Sequence, residues 1–153
     1  PRGGILASAG ADRSIRLWDL AKKEEAQQIK GHEDCVRALA YAPDGRLASA
    51  SEDRKVKLWG PDGKQLRELA LTTQEVTALS LAFTPRGRLL AIGDGASLLL
   101  ADGTTLARIS SMSRHLQPVS AVAISPDARA LYTAGRDQAI KAWSAGSERR
   151  LWE

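Results

Sequence analysis

The chain has 153 residues, 43% hydrophobic and 26% charged. That is enough for a sizeable core in about one ordinary domain, and it excludes wholesale disorder. The formal charge of +4 comes from scattered basic residues rather than a clustered patch, which argues against nucleic acid as a partner, and the single cysteine, Cys35, excludes an internal disulfide and a cysteine-based metal site. No apolar run approaches the roughly 20 residues of a membrane span, and no signal-peptide pattern opens the chain, so a cytoplasmic protein is expected. Frequent Ala, Arg, Leu and Gly suggest a GC-rich bacterial source.

In chain order, ILASAG and SIRLWD read as two short strands around the turn Ala11-Asp12-Arg13. VRALAYA, RLASAS, KVKLW and QLREL follow, separated by Pro43-Asp44-Gly45, Glu52-Asp53-Arg54 and Pro61-Asp62-Gly63. VTALSLAF and VSAVAIS restart the series, each followed by a proline turn, and SERRLWE reads as a last strand. No window of helical length keeps a 3.6-residue apolar stripe. The chain is therefore all-β.

The strands repeat. ILASAGADRSIRLWD, RLASASEDRKVKLWG, LLAIGDGASLLLADG and ALYTAGRDQAIKAWS are versions of one unit. Trp18, Trp59 and Trp143 lie 41 and then 84 residues apart, as do Asp12, Asp53 and Asp137, and Ser8, Ser49 and Thr133. His32 and His115 lie 83 apart. A period of about 41 residues is the length of a four-stranded propeller blade. An ordinary β-sandwich, the alternative, needs no such period.

Gly31-His32, the proline-aspartate-glycine turn, the small-residue strand, the turn aspartate and the Trp18-Asp19 pair together resemble the WD-repeat family over nearly the whole chain. The resemblance implies a β-propeller of four-stranded antiparallel blades, an incomplete ring in one chain. The units are 1-30 (lacking the innermost strand), 31-71, a degenerate 72-111, and 112-153. Propellers typically have 4 to 8 blades, so further sequence or a second copy of the chain is expected to complete the ring, the third alternative being a strained four-blade ring formed by the chain alone.

His32, Ser49 and Asp53 are also the residue types of a hydrolytic triad. Repetition argues against that reading, because a triad needs one exposed nucleophile rather than one set per blade. The resemblance implies a buried hydrogen-bond chain instead: aspartate to histidine, histidine to the strand hydroxyl, hydroxyl to the indole N–H. Its members are His32, Ser49, Asp53 and Trp59, with His115, Thr133, Asp137 and Trp143 in the last unit. Ser8, Asp12 and Trp18 form an incomplete set in the first. Internal alignment selects Ser49 over Ser51, because its counterparts are always hydroxyls whereas those of Ser51 are Gly10 and Gly135. The third unit has no matching histidine, with Ile92 for the hydroxyl and Ala101 for the tryptophan. Leu98, Leu99 and Leu100 are expected to hold it by apolar packing.

The family implies a non-catalytic scaffold that docks protein or peptide partners on one face of the propeller, with no cofactor and no metal. Cys35, Arg37, Glu75, Thr77, Pro118 and Ser120, with Ala11, Glu52 and Arg136 beside the turn aspartates, are the candidate contact residues. Arg37 and Arg136 favour an acidic peptide, since guanidinium forks pair with carboxylates. The alternative is a sensor or regulatory part of a larger bacterial multidomain protein whose enzymatic activity lies in a fused domain.

Overall fold

The computed structural model describes residues 4–71, 79–113, 115–144 and 150–152. All regular structure among them is strand, arranged in four sheets. The first is three-stranded: β1 (Ile5–Ala9), β2 (Ser14–Asp19) and β3 (Glu24–Lys30). The second is β4 (Val36–Tyr41), β5 (Leu47–Ser51), β6 (Lys55–Trp59) and β7 (Gln65–Ala70). The third is β8 (Leu79–Phe83), β9 (Leu89–Asp94), β10 (Ser97–Asp102) and β11 (Arg108–Ser113). The fourth is β12 (Val119–Ile124), β13 (Ala130–Gly135), β14 (Ile140–Ser144) and β15 (Arg150–Trp152).

Every pairing is antiparallel between consecutive strands, so each sheet is a meander. The meander is what short strands with turn chemistry every few residues produce. Residues in left-handed conformation make the turns: Arg13, Arg54 and Gln138 occupy equivalent sites at φ 65, 63 and 64. In each sheet the register of the last two strands shifts by one residue beside the tryptophan site, at Leu17/Trp18, Leu58/Trp59, Leu100/Ala101 and Ala142/Trp143. Such a bulge re-aims a side chain at the end of a strand.

The sheets stack face to face, and the core lies between them. Ile15, Leu17 and Ile29 of the first sheet meet Val36, Leu47 and Trp59 of the second. The opposite face of the second sheet (Ala48, Ala50, Val56, Leu58) packs on Leu90, Ile92 and Leu99. Leu98, Leu100 and Met112 then pack on Leu131 and Trp143. Strand alternation thus sends Leu99 to one neighbour and Leu98 and Leu100 to the other. These three leucines are buried, as are Ile92 and Ala101, so apolar packing fills the third sheet where its neighbours carry polar chains.

The outermost strands are polar. All of β7 except Leu69 is exposed, and in β3 Ile29 alone is buried. At the other edge of the first sheet, β1 is largely exposed, including Ile5 and Leu6. The innermost strands β4, β8 and β12 follow one another across the sheets, β1 lies against β4, and the ring is not closed. Among the described residues no helix is long and apolar enough to cross a membrane.

Candidate functional site

Two hydrogen-bond chains run from strand to loop. In the second sheet the Trp59 indole N–H donates to Ser49 Oγ at 2.8 Å, Ser49 Oγ lies 2.7 Å from His32 Nε2, and His32 Nδ1 lies 2.7 Å from the Asp53 carboxylate. In the fourth sheet Trp143 donates to Thr133 Oγ1 at 2.9 Å, Thr133 Oγ1 lies 2.7 Å from His115 Nε2, and His115 Nδ1 lies 2.9 Å from Asp137. Proton positions follow from chemistry. A carboxylate only accepts, so Nδ1 of the imidazole carries the proton; Nε2 of the neutral ring then accepts from the hydroxyl, and the hydroxyl accepts from the indole. Each chain therefore points one way, from tryptophan to aspartate.

The aspartates extend the chains into backbone. Asp53 accepts the N–H of Glu33 at 3.0 Å, in the loop before β4, and that of Lys55 at 2.9 Å across its own turn. Asp137 accepts the N–H groups of Leu116 at 2.9 Å and Ala139 at 3.3 Å. One carboxylate thus fastens two loops to each other. Burial works against the charge on Asp53, but the Glu33 N–H, His32 and the Lys55 N–H outweigh it and hold the carboxyl below its ordinary range. The same balance, with burial again opposed by His115 and the backbone donors, takes Asp137 to about 2. Burial, opposed by Asp53, lowers the pKa of His32 and keeps the ring neutral.

Ser49 is fully buried, at 0% exposure, and its oxygen is occupied by the indole N–H. A hydrolytic nucleophile must present that oxygen to a substrate; this one is sealed in the sheet. Ser51 stands outside the chain, donating to the Asp34 carbonyl at 2.9 Å and accepting the Asp53 N–H at 3.1 Å.

The first sheet carries a shorter version. Trp18 donates to Ser8 Oγ at 2.8 Å, but Ser8 is exposed. Asp12 turns to Arg16, at 2.9 Å, which holds its carboxyl down to about 2, and Arg16 also pairs with Glu25 at 2.9 Å.

The candidate contact residues separate on the structure. Ala11, Arg37, Ser120 and Arg136 are exposed and Glu52 is half-buried. Arg37 and Glu52 form an ion pair at 2.6 Å, two chain segments meeting across adjacent strands. Ser120 donates to the Ala134 carbonyl at 3.1 Å. Cys35, only 8% exposed, and Pro118 are buried, which corrects their assignment as contacts. Both lie in the loops that lead into the innermost strands β4 and β12. Glu75 and Thr77 lie outside the described residues.

Sequence reasoning missed Lys57. Only 5% exposed, its ammonium donates to the Gly31 carbonyl at 2.7 Å and to Gln65 at 3.1 Å, pairs with Glu68 at 3.1 Å, and lies 6.0 Å from the Trp59 ring. Buried cations need such partners. The signal was present: Arg16, Lys57 and Lys141 recur with the same 41 and 84 spacing, opposite Ser8, Ser49 and Thr133.

Among the described residues no cluster of His, Cys, Asp and Glu could hold a metal ion.

The family model described as WD domain, G-beta repeat matches residues 1–19, 23–60 and 106–144. The unmatched stretch between them contains the strands that lack the polar chain. A ribosome biogenesis protein WDR12 homolog of Chlamydomonas reinhardtii is 31% identical over 95% of this chain and 32% of its own length. A guanine nucleotide-binding protein subunit beta of Zea mays is 30% identical over 96% of this chain and 42% of its own. Coronin-7 of Rattus norvegicus is 43% identical over a single stretch of 42 residues. The chain thus spans 32% and 42% of the lengths of these two relatives, less than half of either. With Trp-hydroxyl-His-Asp chains repeated on the second and fourth sheets and a family model covering most of its length, the chain belongs to the WD40 repeat family.

Proposed function

We propose that this chain is part of a protein-interaction scaffold and that it holds partners on the face formed by the β5–β6 and β13–β14 turns with the loops entering β4 and β12. One observation carries this reading. Each buried chain ends on an aspartate that fixes a turn and a neighbouring loop together through backbone N–H groups. A rigid, preordered loop surface loses little entropy when a partner docks. The name of the maize relative, a subunit, agrees with a role in assembly. Arg37, Glu52, Ser120, Arg136 and Ala11 are the contacts this face displays. A partner carboxylate competes with Glu52 for the Arg37 guanidinium, which selects acidic ligands. The uncovered edge of β1 receives its strand from further sequence or from a second copy of the chain, which solution mass by light scattering distinguishes.

The test is site-specific photocrosslinking in extracts of the source cells. A crosslinker at Arg37 is expected to yield a discrete protein adduct, and one at Leu66 on the outermost strand none. Arg37→Glu leaves the unfolding midpoint close to that of wild type, since an exposed pair contributes little, and an adduct at Ser120 then disappears. Equal labelling from both positions overturns the reading.

A further inference from the structure

Three turns that follow the innermost strands share a sequence pattern but not a charge. They read Pro43-Asp44-Gly45-Arg46, Pro85-Arg86-Gly87-Arg88 and Pro126-Asp127-Ala128-Arg129. Their backbones agree, with Gly45, Gly87 and Ala128 at φ 91, 67 and 59. In the first, Asp44 accepts the Arg46 N–H at 3.2 Å and pairs with its guanidinium at 2.7 Å. In the third, Asp127 accepts the Arg129 N–H at 3.0 Å and the Ser125 hydroxyl at 2.6 Å. The middle turn has no carboxylate. The Thr84 hydroxyl closes it instead, accepting the Leu89 N–H at 3.0 Å, and Arg86 stands where the aspartate would be.

The substitution has an electrostatic consequence. Arg46 is held by Asp44 and by the Gly103 carbonyl, whereas Arg86 and Arg88 form no ion pair among the described residues. The turn thus carries two arginines and no carboxylate. Both line a cleft of about 850 Å³ between the third and fourth sheets, and Arg129 lines its other side. Asp127 is the single carboxylate among the lining residues, and its own turn already engages it. Pro85 and Pro126 give the cleft apolar walls, and no aromatic side chain lines it.

We propose that this cleft binds an acidic peptide segment, with carboxylates on the guanidiniums of Arg86, Arg88 and Arg129 and an apolar side chain between Pro85 and Pro126. Guanidinium forks match carboxylates in geometry as well as charge. The cleft is too large for one small anion, and without an aromatic platform it lacks what single-stranded nucleic acid stacks on. It lies at the strand ends opposite the turns of Asp53 and Asp137, so it is a second surface, independent of the face described above.

The experiment measures fluorescence anisotropy of a labelled ten-residue peptide of alternating glutamate and leucine against the 153-residue chain, beside the same peptide with glutamine. The glutamate peptide is expected to bind and to weaken with salt; the glutamine peptide is expected not to bind. Arg86→Asp restores the pattern of the other two turns and supplies Arg88 with a partner, so it keeps or raises the unfolding midpoint while weakening binding by about tenfold or more. Arg88→Gln weakens binding likewise and serves as the second variant should Arg86→Asp not fold. Equal binding of the two peptides, no binding of the glutamate peptide, or wild-type affinity in the folded variants overturns the proposal. So does tighter binding of a single-stranded oligonucleotide, or displacement of the peptide by inorganic phosphate at an equal concentration.

Discussion

Ser49→Ala and Ser8→Ala remove the same atom from equivalent strand positions in very different surroundings. At Ser49 the hydroxyl serves two buried neighbours: it accepts from Trp59 Nε1 at 2.8 Å and donates to His32 Nε2 at 2.7 Å. Alanine leaves an indole donor and an imidazole acceptor unpaired, and Ser49 is fully buried, so water does not reach either. Each orphaned group costs about 1–3 kcal/mol, and the lost oxygen leaves almost no cavity, so the total is about 2–6 kcal/mol. Ser8 serves one partner, Trp18, and is exposed, so water replaces it and the cost is about 0.5 kcal/mol or less. Urea unfolding followed by tryptophan fluorescence reads the difference. With a slope of about 1–3 kcal/mol/M, Ser49→Ala lowers the midpoint by about 1 M or more, while Ser8→Ala barely moves it. Equal shifts in the two variants, or a Ser49→Ala shift under about 0.5 kcal/mol, refute the argument that directional pairing of buried groups holds this loop.

Two further predictions follow from the same geometry. The depressed pKa of His32 means the unfolded chain takes up a proton first, so its contribution to stability is complete above about pH 6.5 and is lost as pH falls below that value. Asp53 and Asp137, also depressed, contribute above about pH 4 and lose their contribution as pH falls toward their folded values, about 2 for Asp137. Thermal unfolding midpoints from pH 8 to 3 should therefore decline in two steps, and Asp53→Asn should flatten the lower one; a midpoint that rises with acid contradicts the assignment. Lys57→Met keeps the aliphatic stem but leaves the Gly31 carbonyl and Glu68 without their cation, a loss of about 1–2 kcal/mol by chemical denaturation. An unchanged midpoint would show that Lys57 is packed for its stem alone.

The repeat was legible because it is a property of chain order. Trp18, Trp59 and Trp143 carry the period with Ser8, Ser49 and Thr133, and each tryptophan donates to the hydroxyl two residues from its own partner on the adjacent strand. Lys57 was equally periodic but overlooked, because lysine in a strand ordinarily marks a solvated face; only the arrival of Gly31, Gln65 and Glu68 from neighbouring segments turns it inward.

Local periodicity by itself determined the strands and the repeat that groups them, because backbone alternation and turn chemistry act over a few residues, while the roles of the polar residues came from the resemblance to the WD-repeat family. What surrounds each strand was decided by the stacking of one sheet on the next. That stacking sends Leu99 and Leu98 to opposite neighbours. It also brings Arg86 and Arg88 to one cleft with Arg129, some forty residues away in the chain. Burial and electrostatics depend on distance in space, and the turns between sheets set that distance only once the whole stack has formed.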